Sequence, residues 1–494
     1  MAVKDQPAKR SDYSPERVVF RTDHSGGTIQ VRPNEFLANA SDGIAVVTAK
    51  VGEILAEIDG VPLADYKDPP EIEEIARIRG DWTRYRLAGD DVDVIRLVRG
   101  LRDRGIAAQP NHVYFVSSLG NRVASQFDPN LFAPNLFAPN LFVPNLFAPN
   151  LFAPNLFAPN LFAGGGAGAG CCCRGGLTDS ETRSVPEHAA RPRPAAENAL
   201  RRVEPLDDPI VAIHAIDIAS PGDDRDAEFE TGELEDPGHL TDQRAVDENA
   251  DGWVDPAVGH GDFVKSIVEL ESNLPCTLWH AADPLGDIDD ACLVMAMQEV
   301  DKHVGNAAKQ RKILNLSLSG YNEDDRPSIV LADQVKSMIK GGWLIVASAG
   351  NNASCRLAWP AALPDVVAVG AYGPCGPAWF SNFGPWVDAS GPGVDVLAEF
   401  PDLGAVVTGS PANVATIDDP EPGDKSVLDT TDYSTGWAMW SGTSFSAPFV
   451  TARLAAQLQE SPSVSRHKAI ARALDNVVRD QDLDRLPYYG TIVA

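Results

Sequence analysis

Ser441-Gly442-Thr443-Ser444-Phe445-Ser446-Ala447-Pro448 runs directly into Phe449-Val450-Thr451-Ala452-Arg453-Leu454-Ala455-Ala456-Gln457-Leu458, and this stretch decides how the rest of the chain is read. The second half has the composition of a helix, and the first half crowds small residues around one serine just before it. Gly442 permits a sharp turn, and Ser446 and Ala447 let the helix head pack closely. The positive end of the helix dipole favours negative charge developing near Ser444. An isolated serine in such a turn reads as a helix cap. A different reading requires partners elsewhere in the chain.

A serine hydroxyl becomes a useful nucleophile only when a base takes its proton, and that base must itself be oriented by a third group. Nine histidines are available. His260 stands out, because Gly259-His260-Gly261-Asp262-Phe263-Val264 sets it between two glycines at the start of an apparent helix through Ile267 and Val268. Upstream, the apolar run Val211-Ala212-Ile213-His214-Ala215-Ile216 reads as a strand with Asp217 at its end. Asp208 and Asp223 are the alternative acids, and neither ends an apolar strand. Further short apolar runs at Ile313–Leu318, Leu344–Ala347 and Val366–Val369 alternate with helical segments. That alternation predicts an α/β fold with a mostly parallel sheet covered on both faces. In such sheets chemistry gathers at the carboxyl ends of the strands.

With these residues placed, the chain resembles the subtilisin-like serine proteases (subtilases), in the order Asp, His, Ser. Asn315-Leu316-Ser317-Leu318-Ser319-Gly320 resembles the family strand beside the substrate cleft, and Ala347-Ser348-Ala349-Gly350-Asn351-Asn352 resembles the block that carries the oxyanion asparagine. Pro360-Ala361, Val366-Val367-Ala368-Val369-Gly370, Phe380-Ser381-Asn382-Phe383-Gly384 and Pro392-Gly393-Val394 also follow the pattern, so the likeness spans about residues 206 to 480. The resemblance implies a subtilisin-like, doubly wound, mostly parallel sheet with helices on both faces. It implies Ser444 as nucleophile, His260 as general base and then acid, Asp217 as the orienter of His260, and Asn351 as a donor to the oxyanion beside the Ser444 backbone N–H. It also places Ser317, Leu318, Ser319, Ser348, Ala349 and Gly350 along the substrate, an extended protein or peptide segment added as a strand, with an apolar residue before the cut bond. The chain departs from the family pattern where Asp217 is followed by Ile218-Ala219 and His260-Gly261 by Asp262.

The rest of the chain divides around this unit, taken as 206–494. Residues 1–19 read as a tail and 20–118 as a small α+β domain. In it Arg84–Ala88 suits a strand, Asp90 or Asp91 can cap a helix that presents Val94, Leu97, Val98 and Leu101, Gly105 can end that helix, and Ala107–Val116 reads as a strand. The strand, helix and strand with Gln109-Pro110-Asn111-His112-Val113-Tyr114 resemble the inhibitory propeptide domain of the same family, of ferredoxin-like fold, which implies a self-inhibited zymogen. Residues 119–205 read as a linker. There Pro-Asn-Leu-Phe-Ala repeats seven times over 129–163, with Val143 in place of one Ala, followed by a Gly-rich segment and Cys171-Cys172-Cys173. Proline at every fifth position obstructs a continuous helix or a central strand.

Lys and Arg number 41 against 70 Asp and Glu, a formal net charge of −29, which argues against nucleic acid as a partner. No stretch reaches the ~18 apolar residues of a membrane span. The charged first twenty residues lack the pattern of a secretory signal, and the expectation is a cytoplasmic protein with reduced thiols. The chemistry needs no cofactor. Asp247, Asn249, Asp251 and Asp255 alternate like the first half of a calcium loop, with Val258 where the closing Glu would stand, so a structural Ca²⁺ is an expectation there. The alternative function is a catalytically inactive subtilase-fold protein that binds peptides or acts as a scaffold. A lipase or esterase would favour a Gly-x-Ser-x-Gly elbow, with serine ahead of the acid and histidine.

Overall fold

The computed structural model describes residues 18–22, 27–41, 43–60, 71–88, 92–116, 183–184, 210–218, 257–282, 286–304, 311–373, 376–401, 405–407, 430–432, 436–460 and 491–492. The Pro-Asn-Leu-Phe-Ala array, the cysteine triplet and all four candidate calcium ligands lie outside them. Among the described residues no helix is long and apolar enough to cross a membrane.

The N-terminal part contains β1 (Val19–Thr22), β2 (Thr28–Asn39), α1 (Ile44–Asp59), β3 (Ile72–Arg79), β4 (Trp82–Leu87), α2 (Val94–Asp103) and β5 (Ala108–Val116). Its antiparallel sheet has the order β5-β2-β4-β3, with β1 paired to β2. The period of two along β2 and β4 divides their side chains between two layers. Phe36, Ala38, Tyr85 and Leu87 pack with Val47, Val51, Val94, Leu97, Val98 and Leu101 of the two helices. The cap of α2 is Asp93 rather than Asp90 or Asp91, its side chain accepting from the Arg96 N–H at 3.1 Å. The Val92 N–H donates to Asn34 Oδ1, which ties the chain to β2 immediately before the helix.

The larger sheet is built from β6 (Val211–Ile218), β7 (Cys276–Ala282), β9 (Arg311–Leu316), β11 (Trp343–Ser348), β12 (Val366–Gly373) and β13 (Ala389–Pro392), with β8 (Asp287–Asp289) and β10 (Leu318–Ser319) lying off it. The order is β13-β12-β11-β9-β6-β7, and every one of these pairs is parallel. Four helices cover it: α3 (His260–Ser272), α4 (Asp290–Val304), α5 (Ile329–Lys340) and α6 (Thr443–Glu460). Alternate residues of the same strands go to opposite faces. Ile213, Ile313, Val346 and Val367 meet α3 and α6, whereas Ile216, Leu314, Ile345 and Ala368 meet α4 and α5. Burial on both faces is why these strands read as continuous apolar runs. The run Ile313–Leu318 is not one strand, however. β9 ends at Leu316, Ser317 leaves the ladder, and Leu318-Ser319 pair antiparallel with Phe115 and Val116 of β5.

The N-terminal sheet presents its other face to α4. Leu37, Trp82, Tyr114 and Val116 join the core formed by that helix. At the junction Arg32 pairs with Asp287 and Asp289, and Arg84 pairs with Glu35 and Asp289, all with side chains 3% exposed or less. Gln109 bridges the two helix heads. Its Nε2 donates to Asp290 Oδ2 at 2.9 Å and to Ser328 Oγ at 2.8 Å, and its Oε1 accepts from the Ile329 N–H at 2.7 Å. Strand β5 thus runs between β8 and β10, with Phe115 opposite Asp287 on one side and Ser319 on the other.

One buried histidine gives the fold a pH dependence. His214 in β6 accepts from Trp279 Nε1 at 3.0 Å, and its pKa is lowered to about 4, first by burial and then by His303 and Lys312. Because the folded value lies below the unfolded one, the unfolded chain binds the extra proton between the two. Stability is therefore intact above the unfolded value near 6.5 and falls as pH drops toward 4, by about 3 kcal/mol in all. His214→Asn, which keeps an acceptor for Trp279, should flatten that fall in urea midpoints measured from pH 7 to 4. An unchanged slope would assign it to other groups.

Candidate active site

Asp217 is the penultimate residue of β6 and is fully buried. Its Oδ1 accepts the Ile218 N–H at 2.9 Å and lies 2.7 Å from His260 Nδ1. His260 opens α3, and the helix head comes so close to the end of β6 that a Cβ on Gly261 would strike the Ile218 carbonyl oxygen. Glycine at 261 thus sets the short Asp217–His260 contact. Trp440 meets the imidazole edge-on with ring centres 5.5 Å apart, and Phe445 lies 5.3 Å away, so apolar surface fixes the ring where the carboxylate does not. His260 Nε2 is buried and makes no hydrogen bond among the described residues.

Ser444 is the second residue of α6, at the end of the helix where backbone N–H groups lack intrahelical acceptors. Its side chain is buried, and its Oγ donates to the Ser317 carbonyl at 2.9 Å. The Ser317 hydroxyl donates in return to the Ser444 carbonyl at 2.7 Å. Asn315 Nδ2 donates to Ser317 Oγ, and Thr451 Oγ1 donates to Asn315 Oδ1, so a chain of buried polar contacts pins α6 to the end of β9. This lock also explains why Ser317 leaves the sheet. The described contacts join Asp217 to His260 and Ser444 to Ser317, and in this structure the Ser444 hydroxyl is held by Ser317 rather than by His260.

Asn351 lies across the helix head. Its Oδ1 accepts from both the backbone N–H and the Oγ1 of Thr443, each at 2.9 Å, which turns the donor side of the carboxamide away from Thr443. Ser348 and Ala349 continue β11, with Ser348 Oγ donating to the Leu318 carbonyl and the Ala349 N–H donating to Val369. The Gly350 N–H donates to Thr443 Oγ1 at 3.1 Å. The stretches 317–319 and 348–350 are therefore brought together at the strand ends, beside Ser444.

Two supporting residues lay hidden in the sequence. Asn382 donates from Nδ2 to the Ala349 carbonyl at 2.7 Å, and its Oδ1 accepts the Asn352 and Ser354 N–H groups, so it shapes the loop that carries Asn351. Thr443 supplies the contacts that hold the Asn351 amide. Both sit inside quoted motifs, and only their buried partners separate them from the small polar residues around them. No group of three metal-ligating side chains occurs among the described residues. A carboxylate holding an imidazole, a serine at a helix head and a carboxamide braced beside it are parts suited to acyl transfer.

The Subtilase family model matches residues 283–490, a span that contains Asn351 and Ser444 and begins after Asp217 and His260. A thermophilic serine proteinase of Bacillus sp. (strain AK1) is 31% identical over 152 residues, covering 28% of this chain and 35% of its own. An extracellular protease of Xanthomonas campestris pv. campestris is 28% identical over 197 residues, covering 40% of this chain and 29% of its own. The chain thus spans about a third of the length of these relatives. The crystal structure of a lanthipeptide protease aligns with 48% of this chain and 73% of its own at 19% identity, with a TM-score of 0.36. Residues 283–490 of the chain are thus similar to the subtilase family, and the curated relatives that the chain resembles are serine proteinases and proteases.

Proposed function

We propose that the protein is a serine endopeptidase that cuts extended protein or peptide segments through an acyl-enzyme, with its N-terminal unit as an intramolecular inhibitor. The observation that carries this reading is the buried 2.7 Å contact between Asp217 and His260, at the same end of the sheet as Ser444 and Asn351. In the proposed reaction Asp217 holds the Nδ1–H tautomer of His260, leaving Nε2 to accept the Ser444 proton as Oγ attacks the scissile carbonyl. The oxyanion is stabilised by the Ser444 backbone N–H and the Asn351 carboxamide. His260 then gives its proton to the leaving amine, and water repeats the sequence to release the acid.

The Ser317 carbonyl has two roles in this scheme. It holds the Ser444 hydroxyl in the present state, and it is the acceptor that an incoming peptide N–H would use when a substrate strand extends the pairing of β10. Substrate binding would therefore release Ser444 toward His260. Latency is supported by β5, which lies against β10 as a substrate strand would, anchored by the Arg32 and Arg84 ion pairs. The strand order of the N-terminal sheet agrees with a ferredoxin-like propeptide domain.

Incubating the full chain with an unfolded protein substrate should give fragments that Ser444→Ala does not produce. Arg32→Ala, which removes the Arg32 contacts to Asp287 and Asp289 from the buried junction while Arg84 still holds Asp289, should loosen the docking of the N-terminal sheet and raise the initial rate several-fold. Equal cleavage by wild type and Ser444→Ala would remove the serine mechanism. A slower Arg32→Ala would remove the inhibitor role.

A further inference from the structure

The loop that carries Asn351 is gripped by a tyrosine that stands just after the motif ending at Gly320. Gly320 and Trp359 exchange two backbone hydrogen bonds, each 2.9 Å long, so the chain leaves β10 in a set direction and Tyr321 follows. Its side chain is buried. Ile29 and Val31 of β2, Ile95 of α2 and Ala358 pack around it, and the Arg356 guanidinium lies 4.6 Å from the centre of the aromatic ring. The hydroxyl donates to Asn352 Oδ1 at 3.2 Å and accepts from Asn382 Nδ2 at 3.2 Å. Asn382 Oδ1 accepts the Asn352 N–H at 3.0 Å, so three hydrogen bonds close a cycle through Tyr321, Asn352 and Asn382. Burial raises the phenol above its ordinary pKa, which keeps it a donor.

The geometry points to Tyr321 as a positioning residue for the oxyanion donor: its hydroxyl fixes Asn352 and Asn382, and through them the Asn351 carboxamide between them. The inference rests on the serine-protease reading of the site, and it adds a residue that acts through Asn351 without touching substrate. Thr443 holds the carboxamide oxygen of Asn351, which leaves the backbone on either side to be fixed by other groups. On the C-terminal side the cycle holds both the N–H and the side chain of Asn352. On the N-terminal side Asn382 Nδ2 donates to the Ala349 carbonyl at 2.7 Å, and Gly350 turns at φ +97°, where a Cβ would lie 2.6 Å from that same nitrogen. Asn382 therefore packs directly on the turn, and Tyr321 accepts from its amide. An oxyanion donor acts at about 2.7–3.1 Å, and a misplacement of about 1 Å costs about 10²-fold in rate. Tyr321→Phe keeps the aromatic ring, its packing and the Arg356 contact. It removes one partner each from Asn352 Oδ1 and Asn382 Nδ2, so the change falls on the loop that carries Asn351.

The test uses the full chain, with steady-state rates on a peptide substrate corrected by those of the Ser444→Ala chain. Tyr321→Phe should lower kcat about 10-fold and leave KM within about 2-fold of wild type. In the Asn351→Ala chain the same substitution should change kcat by less than about 2-fold, because the group it positions is gone. Asn352→Ala opens the cycle from its other side and should reproduce both results, so the comparison stands even where Tyr321→Phe does not fold. Wild-type kcat in these variants would overturn the inference. An equal fractional loss with and without Asn351 would also overturn it, since the tyrosine would then brace the fold alone. Absence of any cleavage that depends on Ser444 would remove the protease reading and this inference with it, whereas Ser444-dependent cleavage without the coupling to Asn351 rejects the inference alone.

Discussion

Asp217→Asn should lower kcat by about 10⁴-fold while leaving KM within a few-fold of wild type. The amide has the volume of the carboxylate, and its oxygen can still accept the Ile218 N–H that now goes to Oδ1. Where that oxygen also takes the His260 Nδ1–H, as Oδ1 does now, the contact carries no negative charge. An amide NH₂ turned toward Nδ1 forces the proton onto Nε2, the nitrogen that must accept from Ser444. The imidazolium formed during attack also loses its counter-charge in a site where both side chains are fully buried. Steady-state rates on a peptide substrate, with thermal unfolding as a control for folding, check this. A variant that keeps wild-type kcat would transfer the acid's role to another residue.

Asn351→Ala should cost about 10²- to 10³-fold in kcat through loss of an oxyanion donor. It should also cost about 1 kcal/mol of stability, because Asn351 Oδ1 accepts the Thr443 N–H at the head of α6. The two effects are separable. Asn351→Asp keeps the acceptor for Thr443 and loses the donor, so it should retain the stability and show the full rate loss. If Asn351→Asp turned over substrate like wild type, the residue would be a helix-head brace only.

The strands that carry the site were legible because burial on both faces leaves runs such as Val211–Ile216 with few polar interruptions, and a buried Asp217 at the end of one contrasts with its neighbours. Gly261 was visible as half of a Gly-His-Gly pattern, although its reason, the close approach of α3 to the Ile218 carbonyl, is a matter of packing. Ser317 was absorbed into a strand, since a hydroxyl that exchanges hydrogen bonds with Ser444 has no periodicity of its own. Helix capping misplaced α2 by two or three residues, because Asn34, far away in the chain, fixes where the helix begins. The polar junction of Arg32, Arg84, Glu35, Asp287 and Asp289 was illegible for a related cause. Each of these residues reads as solvent-facing until β2, β4 and β8 meet, and their burial follows from that docking. Asp290 reads as an acidic residue favourably placed in the first turn of a helix, and nothing in its spacing announces that Gln109, His112 and Tyr114 of β5 all reach its carboxylate.

The central claim, that Ser444 is a nucleophile activated by His260, is tested most directly with a fluorophosphonate probe on the purified full-length chain, read by intact mass and by the site of attachment. The account predicts one adduct on Ser444 in the wild type, faster in Arg32→Ala, and none in Ser444→Ala or His260→Ala. Labelling of Ser444 that persists at the same rate without His260, or an Arg32→Ala chain that stays unlabelled, would contradict it.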